Sequence, residues 1–117
     1  MINNMDTQPT LDLIVQAALD LKACDLMEID MEGRSSLSEY VILCHGTSSA
    51  HAQGISDKIS LTMKKEKILP LGVEGYNEGE WILLDYNSVI VHIFLEETRE
   101  LYNFEQLFQD FPIRKPE

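Results

Sequence analysis

A chain of 117 residues is too short to split into separate cores and long enough to build one without disulfide or metal staples. Its hydrophobic share of 44% and charged share of 25% are those of an ordinary globular domain, which excludes a disordered or collagen-like chain. Twenty acidic against nine basic residues leave a formal charge of −11, so a nucleic acid backbone or an anionic lipid surface is repelled and a basic protein is the natural counterpart.

Residues 1–9 have no basic stretch followed by an apolar one, so they read as a flexible N-terminus rather than a signal peptide. No apolar run approaches the ~20 residues of a membrane span, and the expected location is cytoplasmic. A single α/β domain is expected over residues 10–110, with residues 111–117 as a C-terminal tail. Thr10 is the expected cap of a first helix in which Leu11, Ile14, Val15, Ala18 and Leu21 recur at helical spacing. In residues 26–31, Met27, Ile29 and Met31 alternate with Glu28 and Asp30, which predicts a half-exposed strand near a sheet edge. The continuous apolar run Tyr40-Val41-Ile42-Leu43-Cys44 predicts a strand covered on both faces.

A second helix is predicted over residues 49–66, with Ala52, Ile55, Ile59 and Met63 as its buried stripe and Lys64 and Lys65 near its C-terminus. Residues 69–74 read as the next strand, and strand-helix-strand at this spacing predicts one right-handed parallel crossover. Residues 81–85 and 89–95 are two apolar strands joined through Tyr86-Asn87-Ser88, a hairpin connection. Leu101, Tyr102, Phe104, Leu107 and Phe108 then suit a short helix or turn packed back on the sheet, and Pro112 and Pro116 end the fold in a loose tail.

Both faces of the hairpin are apolar, because Trp81 and Leu83 point opposite to Ile82 and Leu84. Two helices of this size cover one face of a five-stranded sheet. The other face then needs the C-terminal segment, a second copy of the chain in a homodimer, or a different protein. Residues 74–110 carry nine acids and the single base Arg99, so most of the negative charge sits on the segment that holds the hairpin. An aromatic anchor ringed by one sign of charge is a common construction for a protein docking site.

Catalytic candidates are few. Cys24 and Cys44 have no C-x-x-C spacing and read as reduced thiols, with neither a disulfide nor a zinc site implied. Cys44 and His45 are adjacent in a strand and so point to opposite faces, which denies the thiol its base. His51 lacks further ligands at metal spacing, and His92, among Val91, Ile93 and Phe94, reads as a core or interface histidine. Gly46-Thr47-Ser48 at a strand-to-helix turn is a weak phosphate cradle. It invites comparison with the nucleotidyltransferase scaffold, but Asp57 falls on the helix and Glu74 stands alone, so the paired carboxylates that hold magnesium there are missing.

The string Gly79-Glu80-Trp81-Ile82-Leu83-Leu84-Asp85-Tyr86, with Val89-Ile90-Val91-His92-Ile93-Phe94 and Glu97-Thr98-Arg99-Glu100-Leu101-Tyr102, closely resembles the ribosomal silencing factor family, also called the Iojap family. Ser36, Tyr40, Gly46-Thr47-Ser48, His51, Pro70-Leu71 and Val73-Glu74-Gly75 extend the resemblance upstream, while Glu39, Val41, Cys44-His45 and Ser49-Ala50 depart from the usual residues. The elements above amount to a mixed five-stranded α/β sheet with helices mainly on one face, with no cofactor or metal expected, and the resemblance implies a nucleotidyltransferase-like scaffold without catalytic residues. It also implies a translation repressor that binds ribosomal protein fourteen of the large subunit and sterically blocks joining of the small subunit. Trp81, Leu83, Asp85, Tyr86 and His92 are the expected partner-binding residues; a phosphate- or nucleotide-handling enzyme is the alternative.

Overall fold

In the computed structural model, which describes residues 6–35 and 38–116, the elements follow in the order α1 (Thr7–Asp20), β1 (Cys24–Asp30), β2 (Tyr40–Gly46), α2 (Ser49–Lys65), β3 (Gly72–Glu74), β4 (Trp81–Asp85), β5 (Val89–Leu95), α3 (Glu96–Tyr102), a 3₁₀ turn (Phe104–Phe108) and β6 (Ile113–Arg114). Residues 1–5 and 117, and Ser36 of the family resemblance, lie outside the described residues.

The first helix starts earlier than Thr10 suggested. Asp6 is the extended residue before it, and Pro9 falls in the first turn, where a missing amide is tolerated. Thr10 is buried inside the helix, its hydroxyl donating to the Asp6 carbonyl at 3.0 Å. The second helix is capped as its sequence implies: Ser48 Oγ accepts from the His51 amide at 3.0 Å, and Lys64 and Lys65 occupy the last turn.

Six strands, not five, form one mixed sheet in the order β3-β4-β5-β2-β1-β6. The sixth comes from the segment expected to be a loose tail: Ile113 and Arg114 pair with Ile29 and Glu28. Secondary structure among the described residues therefore extends from Thr7 to Arg114. This pairing removes β1 from the edge, and four consecutive residues, Leu26, Met27, Glu28 and Ile29, are buried. Glu28 reaches the Arg114 guanidinium at 3.7 Å; burial pushes its carboxyl up, and Arg114 opposes that push only partly.

The predicted crossover also differs in its landing point. β2 pairs in parallel with β5, while β3 lies at the far edge, three residues long and antiparallel to β4. The connection through α2 thus passes over two strands before it reaches β3. Leu69 and Leu71, read as strand residues, precede β3 and are strongly exposed. Gly75, at φ +76°, lets the chain after β3 turn tightly against the Trp81 carbonyl; a Cβ there would overlap that oxygen.

Two apolar layers sandwich the sheet. On one face α1 and α2 bury Leu11, Ile14, Ile55, Ile59 and Met63 against Ile42, Ile82, Leu84, Val91 and Ile93. On the other, Met27, Ile29, Leu43 and Phe94 are covered by Phe104, Phe108 and Phe111 of the C-terminal segment. That segment is pinned at both ends. Arg99, 4% exposed, donates to the Cys24 carbonyl at 3.4 Å and to His45 Nδ1 at 2.9 Å and pairs with Glu105 at 3.3 Å. At the far end the Asp30 amide donates to the Pro112 carbonyl at 3.0 Å, and Arg34 stacks on Phe111.

Candidate docking face

Strand parity sorts the hairpin side chains. Trp81, Leu83 and Asp85 face away from the helices, opposite Phe94, His92 and Ile90 in register. Tyr86 does not join them: it follows the parity of Ile82 and Leu84, is 3% exposed and belongs to the helix-side core. Four of the five expected residues are thus gathered on one face, and the fifth supports that face from behind.

Trp81 is neither bare nor sealed. Its half-buried ring sits 5.0 Å from Phe94, 5.3 Å from Tyr102 and 5.4 Å from Phe104, centroid to centroid. Its Nε1–H donates to His92 Nδ1 at 3.0 Å. His92 is buried, and that burial pushes its pKa down to about 4, so the ring is neutral at physiological pH.

Beside this aromatic cluster the C-terminal segment stops short, leaving an open groove of about 520 Å³ lined by Val41, Leu83, Asp85, Ile90, His92 and Phe108 among others. Asp85 stands at the hairpin end of the groove, where its Oδ1 accepts from the Asn87 amide at 2.8 Å and holds the turn with Asn87 at φ +69°. Leu101, Tyr102 and Leu107 add exposed apolar surface on the outside of the C-terminal segment. Val41, Ile90 and Phe108 were not among the expected site residues; Ile90 shares the parity of His92, which was the available signal.

The remaining chemical candidates resolve into structural roles. Cys44 is fully buried on the helix side, its thiol pushed up to about 12 by desolvation, while His45 lies on the opposite face against Arg99. Burial and the neighbouring guanidinium together hold the His45 imidazole below its ordinary pKa. At the Gly46-Thr47-Ser48 turn, the Thr47 amide donates to His51 Nδ1 at 2.9 Å, and the Ser48 hydroxyl is taken by the His51 amide. Because an amide can only donate, His51 Nδ1 accepts and Nε2–H donates to the Leu21 carbonyl at 2.7 Å. His51 is therefore a bracket between the start of α2 and the end of α1, and the Thr47 amide that a phosphate would need is already satisfied. A Cβ at Gly46 would come within 2.8 Å of the Ala52 nitrogen, so the turn is closed tightly on the helix. Among the described residues no group of three or more His, Cys, Asp or Glu is placed to hold a metal ion, and no helix is long and apolar enough to cross a membrane.

Residues 4–117 match a family model described as ribosomal silencing factor during starvation. The chain is 34% identical over 109 residues to the ribosomal silencing factor RsfS of Bacillus subtilis, covering 93% of this chain and 92% of that protein. More distantly, it is 27% identical to the chloroplastic protein Iojap of Zea mays over 88% of this chain and 45% of that protein. The crystal structure of a protein from Chromobacterium violaceum superposes with a TM-score of 0.86 at 29% identity, covering 97% of this chain and 92% of the other.

Proposed function

Because the chain belongs to the family of ribosomal silencing factors, we propose that it binds the large ribosomal subunit through ribosomal protein fourteen and, once seated, occupies space the small subunit needs. The role of the family is regulatory rather than catalytic. The observation that supports this reading is the groove beside Trp81: an apolar strip on a sheet face its own C-terminal segment leaves half covered, with Asp85 at its rim and a formal charge of −11 on the whole chain. Charge of that sign draws a basic ribosomal protein and repels bare RNA. The blockade is steric, so affinity and concentration alone set the fraction of large subunits removed from the joining reaction.

Purified large subunits pelleted with the protein should carry it down, and subunit joining followed by light scattering should slow in proportion to occupancy. Joining at an unchanged rate with the factor bound would remove the steric mechanism. Large subunits lacking ribosomal protein fourteen should fail to pellet the factor; full retention would remove that partner.

A further inference from the structure

The bond between Trp81 and His92 decides which proton the imidazole carries. An indole nitrogen can only donate, and its acceptor at 3.0 Å is His92 Nδ1. That nitrogen therefore keeps its lone pair, and the single proton of the neutral ring sits on Nε2. His92 is 7% exposed, its Nε2 meets no acceptor among the described residues, and the ring lines the groove between Leu83 and Ile90. Among the described residues Tyr86 Oη is the one fully enclosed side-chain polar atom without a partner, so His92 Nε2 faces the solvent of the groove, and an occupant that displaces that solvent must bring an oxygen in its place.

We propose that the groove receives an extended segment of a basic protein, with an apolar side chain seated on Val41, Leu83 and Ile90, a Lys or Arg beside Asp85, and a backbone carbonyl that accepts from His92 Nε2–H. This assignment rests on the docking role proposed above and names what the same face selects. An extended segment fits because its carbonyls are free, whereas those of a helix are spent on its own amides. Asp85 at the rim and the formal charge of −11 on the chain oppose a phosphate backbone. The same charge disfavours a second copy of this chain, which would bring one acid-rich hairpin segment against another. Trp81 is then a positioning residue: it holds the proton of His92 on the nitrogen that faces the partner, and does so from beside the groove.

The test pairs spectroscopy with pelleting on purified large subunits. Nitrogen-15 spectra of the imidazoles should show His92 protonated on Nε2 alone around neutral pH in the wild type and a mixture of tautomers in Trp81→Phe. The tautomer found on Nδ1 in the wild type would overturn the proposal. His92→Phe keeps a ring and removes the donor, and should weaken binding about tenfold, the worth of one good hydrogen bond. His92→Gln offers a carbonyl to the indole and an amide to the groove, so it should bind within about threefold of wild type. Equal binding by His92→Phe overturns the donor role and leaves the docking reading standing; no binding by the wild type removes both. Ribosomal RNA freed of protein should not bind, and retention of the factor on it would overturn the assignment to a protein segment. Should His92→Phe fail to fold by circular dichroism, Trp81→Phe carries the binding test, with several-fold weakening expected and unchanged affinity overturning the proposal.

Discussion

Acid should loosen this fold through His92, and the size of the effect follows from its position. The imidazole is held at about 4 in the folded chain against an ordinary value of 6.5. Burial is the cause, and the bond from Trp81 occupies the nitrogen a proton would need. A histidine with a lowered folded value is protonated more readily when unfolded. The stability it lends is complete above about pH 6.5 and is lost as pH falls toward about 4. At about 1.4 kcal/mol per pH unit, the full window is worth roughly 3 kcal/mol, of which about 2 kcal/mol disappears between pH 7 and 5.

Two other groups act in the same range with different signs. His45, also lowered, adds to the loss. Glu28, raised by burial, favours its protonated form when folded and so gives back stability as the pH drops through the carboxylate range. His92→Gln removes only the first titration, because glutamine carries no charge at any pH. Urea unfolding of both proteins at pH 7 and pH 5, with the urea slope checked for constancy, isolates His92 as the difference between the two losses. The wild type should lose about 2 kcal/mol more than the variant. Equal losses would show that the buried ring is not held neutral by its surroundings, and the reasoning about its proton would go with it.

Asp85→Asn keeps the acceptor that the Asn87 amide uses and removes the charge. Binding to large subunits should weaken several-fold near 0.01 M salt and converge on wild type toward 1 M, as screening shortens from about 30 to about 3 Å. Arg99→Met strands the Cys24 carbonyl and His45 Nδ1 and should cost about 2–4 kcal/mol in urea unfolding; because the C-terminal segment covers part of the only tryptophan, native emission should shift to the red as well. Iodoacetamide should modify Cys24 and spare Cys44 in the native protein, since only Cys44 is fully buried with its thiol pushed up to about 12; mass spectrometry of the peptides reads this directly, and prompt labelling of Cys44 would contradict the packing of β2 under the helices.

What the sequence disclosed, and what it withheld, divides along the range of the interactions concerned. The hairpin of β4 and β5 was legible because alternation and a three-residue turn are local, and β2 because a strand covered on both sides needs an unbroken apolar run. The sixth strand was hidden because two residues behind a proline carry no periodicity of their own. Ile113 and Arg114 become a strand only when β1 is there to receive them, and Glu28, which reads as a solvent-facing residue, is buried where Gln8 and Leu11 of α1 and Arg114 from the far end of the chain meet around it. The landing of α2 on the outer edge was hidden for the same reason, since helical spacing says nothing about which strand a crossover will adjoin.

The site tells a narrower version of this. Tyr86 was grouped with Trp81 by closeness in sequence, although period-two alternation already put it with Ile82 and Leu84 on the helix side. The pairing of Trp81 with His92 was available by the same rule. Register sets Leu83 opposite His92 and Trp81 opposite Phe94, which leaves the indole and the imidazole diagonal neighbours on one face, within reach of long side chains. A tryptophan diagonal to a buried histidine makes a donor meet an acceptor. The groove's chemistry therefore begins in the register of a hairpin, before any partner is considered.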